Sequence, residues 1–157
     1  AMLGLQWTVA EGMRLRDDLP LPKVGRNEAL VKVVRAGVCG TDLQIIDGYM
    51  SNRFQGTLGH ELLGVVESCP SDPTLEGVRV VAEINCSCGD CANCSRGGDM
   101  ERNHCLERTV IGIVQRDGCF AEFISLPTTN LHRVPAQLSD KFATFAEPVA
   151  AACRIQE

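Results

Sequence analysis

The stretch Cys88-Gly-Asp-Cys91-Ala-Asn-Cys94, followed by Cys105 after ten intervening residues, is the part of the chain around which the rest is organised. Three thiols at CxxCxxC spacing converge on one point when the backbone turns tightly, and Gly89 and Gly97 permit such turns. Four thiolates around a d10 cation form a closed tetrahedron, which is the usual structural zinc site. Disulfides or scattered buried thiols are the alternative, but two CxxC pairs that share one cysteine favour zinc.

The spacing leaves the fourth ligand open. Cys105 offers a sulfur, while Cys86 and His104 are close enough in the sequence to compete with it. In each case the ligands fall within a lobe of about residues 86–107. The sequence therefore predicts a zinc-binding lobe without deciding its last ligand.

Length and composition indicate a soluble protein of one globular domain. The 157 residues are 45% hydrophobic with a formal net charge of −5 and no Lys/Arg cluster, which argues against a nucleic-acid surface. No apolar run approaches the roughly 20 residues of a membrane span, and the N-terminus lacks a signal-peptide pattern. Nine cysteines, an odd number, without an export signal predict a reducing compartment, so we expect a cytoplasmic protein without membrane partners.

Short apolar runs broken by Gly, Pro and Asp-Gly turns predict a mainly antiparallel β domain. The expected strands cover residues 5–9, 29–34, 62–67, 78–84, 109–114 and 118–126. The last two are joined by Arg116-Asp117-Gly118, which is a hairpin signal. The segment Gly37-Val-Cys39-Gly-Thr-Asp42 is expected to break the strand before it, and a short helix is expected to follow as far as Asp47-Gly48. A helical tail is expected on both sides of Pro148, because proline is tolerated at a helix start.

A second group of metal-ligand residue types lies outside the lobe. Cys39 follows a predicted strand, His60 and Glu61 precede one, and Glu147 stands before Pro148. Loops at strand ends suit a site that a substrate must reach. Taken singly, these residues also fit a buried thiol, a core histidine and a surface charge, so residue type alone leaves a second metal undecided.

Several motifs together resemble the zinc-dependent medium-chain dehydrogenases, specifically their N-terminal GroES-like catalytic domain. They are Gly37-Val-Cys39-Gly-Thr-Asp42, Gly59-His60-Glu61-Leu-Leu-Gly64-Val-Val, Gly77-Val-Arg-Val-Val and the CxxCxxC lobe, in the family's order and spacing. The resemblance covers residues from about Asn27 to Ala152 and is nearest to the polyol, sugar and threonine dehydrogenases. It implies that residues 1–157 form a GroES-like, partly open β-barrel with a zinc-binding lobe and a short C-terminal helical tail.

The resemblance also implies a catalytic zinc. Cys39 and His60 match its ligands, and Glu61 matches a ligand or near-ligand that exchanges with water. Glu147 matches the carboxylate that completes the site in polyol-type members, directly or through water. Cys153 is the rival, because ethanol-type members use a cysteine there, although theirs lies further along the chain.

The implied activity is that of an NAD(P)-dependent alcohol or polyol dehydrogenase. An open zinc position takes the alcohol oxygen, and hydride passes to the nicotinamide ring. Thr41 matches the hydroxyl that passes the substrate proton onward, a role for a group that both donates and accepts hydrogen bonds. The resemblance thus implies two zinc sites, NAD or NADP, a small alcohol or polyol substrate, and a homo-oligomer for the full-length protein.

The chain departs from its relatives at two places. Gln44 stands where many of them continue the proton relay with a histidine, and glutamine does not titrate near neutral pH. The third and fourth cysteines are also further apart than in most relatives, so residues 98–100 resemble an insertion in a solvent-facing loop. Cys105 is nevertheless the expected fourth ligand.

No Gly-x-Gly-x-x-Gly motif and no alternating strand–helix pattern occur in the sequence. In the family, a nucleotide-binding domain follows the catalytic domain, and the chain then returns to complete the latter. We therefore expect a truncated dehydrogenase that is inactive by itself. A non-catalytic zinc module for subunit or partner contact is the alternative, and it predicts one metal site instead of two. A co-chaperonin would share the barrel but has no reason for the cysteine lobe.

Overall fold

β-Strands make up most of the regular structure in the computed structural model, which describes residues 1–49, 54–97 and 102–156. The strands are β1 (Met2–Thr8), β2 (Gly12–Leu19), β3 (Glu28–Gly37), β4 (Gly56–Thr57), β5 (Glu61–Ser68), β6 (Arg79–Ala82), β7 (Asn85–Cys86), β8 (Thr109–Ile111), β9 (Gln115–Arg116), β10 (Phe123–Pro127) and β11 (Leu131–Arg133). The α-helices are α1 (Gly40–Ile46), α2 (Asp140–Ala143) and α3 (Ala146–Cys153). The predicted mainly β fold class with a helical tail is confirmed.

The main sheet has five strands in the order β10-β3-β5-β6-β11, and all neighbouring strands in it are antiparallel. Smaller sheets have the orders β2-β1-β4 and β7-β8-β9. In β3, buried Ala29 and Val31 alternate with exposed Lys32, so one face of the strand packs against the core. At the far end of this strand, Gly37 stands directly opposite Glu61, the first residue of β5.

Two apolar clusters support this arrangement. The larger one lies on the main sheet and includes Val31, Val66, Val80, Ile124 and Leu126. The smaller one holds α1 in place, because Ile45 of the helix is buried against Trp7, Phe54 and Leu58. Burying each large side chain contributes about 1.5–3 kcal/mol, so the position of α1 is fixed by packing.

The C-terminal helices are tied to the main sheet. The guanidinium of Arg79 in β6 donates to the carbonyl of Leu138 at 2.6 Å and pairs with Asp140 at 2.9 Å, which anchors the start of α2. Helix α3 carries Pro148 in its first turn, where the missing N–H has no intrahelical partner to lose. It packs against β5 and β6. No helix in the described part of the chain is both long enough and apolar enough to cross a membrane.

The predicted strands at 29–34 and 62–67 are confirmed. The short helix expected before Asp47 is present, but it begins earlier than predicted, at Gly40, within the segment expected to be a break. The predicted hairpin between 109–114 and 118–126 is wrong, because β8 pairs with β7 and β9 while β10 pairs with β3. The turn at Asp117 instead brings this segment next to β4. The Asp117 carboxylate accepts a hydrogen bond from the N–H of Thr57 at 2.8 Å. The N–H of Gly118 then donates to the carbonyl of Thr57 at 2.7 Å.

This crossing depends on a glycine. A Cβ at Gly118 would overlap the backbone carbonyl oxygens of Leu58 and Gly59, the two residues that precede His60. Because backbone atoms cannot rotate away as a long side chain does, we expect Gly118→Ala to lower the free energy of unfolding by about 1–3 kcal/mol. Urea denaturation followed by circular dichroism measures this loss.

Gly40→Ala is the matched control for Gly118→Ala. Gly40 is the first residue of α1, and a Cβ there meets no atom within 4 Å. Alanine also favours a helix over glycine by about 1 kcal/mol, so this variant should be neutral or slightly stabilised. Equal denaturation midpoints for the two variants would contradict the steric explanation.

Candidate metal centres

The cysteine lobe is the segment of the chain that connects strands β7 and β8. β7 and β8 pair antiparallel, with Asn85 opposite Val110 and Cys86 opposite Thr109. Gly89 and Gly97 have φ values of +85° and +73°, the left-handed conformation that only glycine adopts without cost. The expected tight turns are therefore present on both sides of the CxxCxxC stretch.

The four predicted sulfur atoms converge. The Sγ atom of Cys91 lies 3.5 Å from that of Cys94 and 3.8 Å from that of Cys105, and the Sγ atoms of Cys105 and Cys88 are 3.5 Å apart. With Zn–S bonds of about 2.3 Å, the edges of a tetrahedral site are about 3.8 Å long. All four cysteines are free thiols rather than disulfides.

The two rival ligands are not part of this group. The Cys86 thiol is buried and faces the carbonyl of Ile84 at 3.9 Å. His104 is exposed, and its backbone carbonyl accepts a hydrogen bond from Asn93. The expected insertion at residues 98–100 lies outside the described residues. The geometry thus brings together Cys105, and not its rivals, with the CxxCxxC cysteines.

Backbone N–H groups surround the sulfur atoms. The N–H of Cys88 donates to the Sγ of Cys105 at 3.3 Å, and that of Cys91 donates to the Sγ of Cys88 at 3.4 Å. The backbone N–H groups of Cys94 and Leu106 lower the pKa of the Cys91 thiol. Hydrogen bonds to a thiolate stabilise its charge, and the thiolate is the form that binds metal.

A second group of ligand atoms forms where β3 and β5 meet. The donor atoms of Cys39, His60 and Glu61 all lie within 4.8 Å of one another. Cys39 is the N-cap residue of α1, two residues after β3 ends, and Glu61 begins β5. One antiparallel strand pair therefore delivers residues that are distant in the sequence to the same point.

Asp42 connects these segments, a role that the sequence analysis missed. Its side chain is 1% exposed. One carboxylate oxygen accepts the N–H of Cys39 at 2.9 Å, and the other accepts the N–H of Gly59 at 3.1 Å. The available signal was the spacing from Cys39 to Asp42, which places an acidic residue third in a helix, where it reaches back to the N-cap.

The same carboxylate faces the His60 imidazole. Nδ1 of His60 lies 3.5 Å from Asp42, which is an ion-pair distance, and it has no hydrogen-bond partner among the described residues. A carboxylate beside Nδ1 favours a proton on that nitrogen and leaves Nε2 free to bind a metal. The donor set of one thiol, one imidazole and one carboxylate therefore fits zinc.

Charge also controls the protonation of His60. Burial lowers its pKa, but Asp42 and Cys39 together outweigh burial and raise the pKa to about 9. In the metal-free protein, this group stabilises the fold below its unfolded pKa of about 6.5, and the stabilisation is lost as the pH rises through about 9. A metal at this site must displace the proton.

The remaining predicted residues lie around this group. The Thr41 hydroxyl is half-buried and lies 3.7 Å from the Cys39 sulfur. Glu147 is outside the compact group of three donors. Burial raises the pKa of its carboxyl group. The positive charge of His60 lowers this pKa, and the negative charge of Glu61 raises it further. Cys153 and Gln44 are both exposed, at the end of α3 and on α1.

A cavity of about 490 Å³ lies apart from these ligands, beside the segment that follows β2. Arg116 and Glu28, two of its lining residues, pair at 3.0 Å, and Glu28 also accepts a hydrogen bond from Ser125 at 2.8 Å. Because these charged groups satisfy each other, the network is a structural tie between β9 and β3.

Comparison with known proteins places the whole arrangement in context. Residues 25–136 match the alcohol dehydrogenase GroES-like domain. The L-threonine 3-dehydrogenase of Streptomyces coelicolor is 42% identical over 129 residues, which cover 77% of this chain and 36% of that protein. The chain therefore spans little more than a third of this relative's length.

Solved structures show the same fold. Galactitol-1-phosphate dehydrogenase from Escherichia coli superposes with a TM-score of 0.83 at 26% identity, over 97% of this chain and 43% of that one. An alcohol dehydrogenase from Escherichia coli CFT073, complexed with NADH, gives a TM-score of 0.80 at 30% identity, over 97% and 44%. The expected GroES-like barrel is confirmed.

The role of Asp42 predicts a measurable change in His60. In metal-free protein, Asp42→Asn removes the negative charge beside the imidazole, so the pKa of His60 should fall below its value of about 9. Loss of charge-assisted hydrogen bonds should also lower the free energy of unfolding by about 1.5–3 kcal/mol. NMR titration of the imidazole and urea denaturation measure the two effects.

Asp17→Asn is the control, since Asp17 is an exposed residue of β2. It should leave both quantities unchanged. An unaltered His60 pKa in Asp42→Asn would show that the 3.5 Å contact has no electrostatic weight.

Proposed function

Because the chain belongs to the alcohol dehydrogenase GroES-like domain family, we propose that residues 1–157 are the zinc-binding catalytic domain of an NAD(P)-dependent alcohol or polyol dehydrogenase. One observation carries this proposal: the donor atoms of Cys39, His60 and Glu61 converge at a place separate from the four-cysteine lobe. A structural zinc module needs only the lobe. The second, mixed-donor group is what a catalytic metal requires.

Each ligand group has a distinct proposed role. Cys88, Cys91, Cys94 and Cys105 hold a structural zinc in the lobe of residues 86–107, whose closed sulfur set leaves no position for substrate. Cys39 and His60 hold the catalytic zinc with a carboxylate from Glu61. Glu147 reaches the site directly or through water, which its electrostatic coupling to His60 and Glu61 supports.

When bound, the zinc supplies Lewis acidity to an alcohol oxygen, and the nicotinamide accepts the hydride. The residues of the chain supply position and proton transfer. Cys39 contributes its thiolate, and the backbone N–H of Cys39 donates a hydrogen bond to Asp42 at 2.9 Å, which fixes its position. His60 and Glu61 are held nine-tenths or more out of water, which strengthens every charge interaction at the site.

Thr41 is the proposed first acceptor of the substrate proton. Its hydroxyl lies 3.7 Å from the Cys39 sulfur, so it stands next to the place where an alcohol oxygen would be held. Gln44, on the next turn of α1, does not titrate near neutral pH. Because this side of α1 is exposed, we propose that solvent water takes the proton from Thr41.

The substrate is proposed to be a small molecule with a hydroxyl group, in keeping with the relatives named for L-threonine and galactitol-1-phosphate. The dinucleotide would be held by the part of the full-length enzyme that these 157 residues do not include, since the chain spans 36% of that threonine dehydrogenase. Nine free thiols suit a reducing compartment, so we propose a cytoplasmic enzyme, and a homo-oligomer at full length.

Zinc analysis tests the two ligand groups. The reduced protein should hold about two zinc ions per chain, one closed and one with an open position that exchanges faster with a chelator. Cys105→Ser should remove the lobe metal, and the Cys39→Ala/His60→Ala double variant should remove only the other. Elemental analysis after gel filtration gives the counts.

His104→Ala and Cys153→Ser are the controls and should retain both metals. Loss of zinc in His104→Ala, with full zinc in Cys105→Ser, would move the fourth lobe ligand to His104. Full metal content in the Cys39→Ala/His60→Ala variant would leave only a structural zinc module.

Turnover should require more than this domain. The 157 residues alone should show no oxidation of L-threonine, galactitol-1-phosphate or simple secondary alcohols above a metal-free sample, measured by NADH absorbance. Hydride transfer needs the nicotinamide held about 3–3.5 Å from the substrate carbon. Activity should appear when the downstream segment of the parent gene is included.

In that longer enzyme, Thr41→Val should lower kcat by about 10²–10⁴-fold, as expected for loss of a proton-transfer group. Thr41→Ser keeps the hydroxyl and should retain most of the activity. Turnover by residues 1–157 alone would overturn the proposed division of labour, and an unaffected kcat in Thr41→Val would remove Thr41 from the relay.

A further inference from the structure

The Glu61 carboxylate lies next to Gly37, a residue without a side chain. In the antiparallel pairing of β3 with β5, Gly37 lies directly opposite Glu61. Directly opposite residues on a sheet point their side chains to the same face. A side chain at position 37 would therefore compete with Glu61 for the same space, and Cys39 follows only two residues later.

The available space is occupied by the carboxylate itself. A Cβ built on Gly37 would overlap the Oε2 atom of Glu61 and lie 3.1 Å from its Cβ and 3.2 Å from its Cδ. The backbone of Gly37 is not in the left-handed region, so an L-residue would be acceptable there apart from this contact. The three heavy atoms nearest to such a Cβ all belong to the Glu61 side chain.

That side chain is largely buried. Glu61 is 9% exposed, and within the described ranges 1–49, 54–97 and 102–156 its carboxylate takes part in no hydrogen bond or ion pair. A largely buried carboxylate is stabilised by a neighbouring positive charge, so the position of Glu61 favours a cation beside it. The thiol of Cys39 and the imidazole of His60, both within 4.8 Å, supply the other donors for that cation.

We propose that Gly37 is a positioning residue of the second metal site, because the gap left by its missing side chain holds the Glu61 carboxylate beside Cys39 and His60. This inference rests on the proposed catalytic metal site and adds a residue to it. Any side chain at position 37 displaces the carboxylate and weakens metal binding there. Metal binding in the four-cysteine lobe should not change, because the three atoms nearest to a Cβ at Gly37 all belong to Glu61 and the lobe cysteines form a separate group.

Gly64→Ala provides a matched control for a general weakening of the sheet. Gly64 lies in the same β3–β5 pair, opposite Val33, and a Cβ there would overlap a Val31 methyl and lie 2.8 Å from the carbonyl oxygen of Lys32. Both glycine variants should therefore be destabilised. Only Gly37→Ala should alter the metal site.

The experiment measures Co(II) binding in the full 157-residue chain, with Cys39→Ala as the lobe-only reference spectrum. The second site is read from the thiolate-to-cobalt absorption that remains after subtraction, and its affinity from competition with a chelator. Gly37→Ala should weaken binding by about 10–100-fold, the usual effect of losing a group that positions a ligand. Gly64→Ala should stay within about twofold of the unaltered protein, because its Cβ meets no metal ligand.

A double-variant cycle identifies the route of the effect. Glu61→Ala should weaken Co(II) binding, and Gly37→Ala/Glu61→Ala should be no weaker than Glu61→Ala alone, because the Oε2 and Cδ atoms that the new methyl group would meet are removed. If Gly37→Ala does not fold but the double variant does, the clash with Glu61 is demonstrated directly.

The outcomes separate this inference from the proposed function. Equal affinities for Gly37→Ala and Gly64→Ala, or additive losses in the double variant, would overturn the role of Gly37 while leaving the metal site intact. Unchanged affinity in Glu61→Ala would instead remove Glu61 from the proposed ligand set, and with it the basis for a role of Gly37.

Discussion

The buried carboxylate of Asp42 is the interaction on which the candidate catalytic site depends. By accepting N–H groups from Cys39 at 2.9 Å and Gly59 at 3.1 Å, it joins the segment after β3 to the segment before β5. Hydrogen bonds to a charged group that is 1% exposed are strong, because no water competes for them. The same carboxylate, together with Cys39, raises the pKa of His60, so Asp42 influences both the geometry and the electrostatics of the site.

Glycines allow the close approaches that this junction needs. Gly118 lies against the backbone of Leu58 and Gly59, and Gly37 leaves room for the Glu61 carboxylate. Neither position has a left-handed backbone. No turn signal marks Gly37, and the Asp-Gly signal at Gly118 indicates a turn but not this close approach. Glycine is needed at both positions for steric reasons, because the atoms that a side chain would meet belong to segments far away in the sequence.

This distinction explains what the sequence could predict. The four-cysteine lobe is a local structure, so the spacing of Cys88, Cys91 and Cys94 was enough to anticipate that their sulfurs converge, whereas the spacing alone did not separate Cys105 from its rivals. The hairpin expected at Asp117-Gly118 failed because a turn signal says that the chain reverses, but not which strand receives it; here Thr57 provides the partner. The functions of Asp42 and Gly37 were missed for the same reason, since both act across the β3–β5 junction.

The two ligand groups consequently differ in how they couple metal to folding. In the lobe, all proposed donors lie in the segment between β7 and β8, so a metal bound there would order that segment and is expected to have little effect on the main sheet. The donors of the second group come from the end of β3 and the start of β5, and Glu147 adds a nearby charge from α3. A metal that binds this group only in the folded state must stabilise the β3–β5 junction, and the junction in turn sets its affinity. Because Asp42 connects that junction and Gly37 is proposed to act on it, we expect their effects on metal affinity and on stability to be linked, whereas the lobe donors lie in a separate segment of the chain.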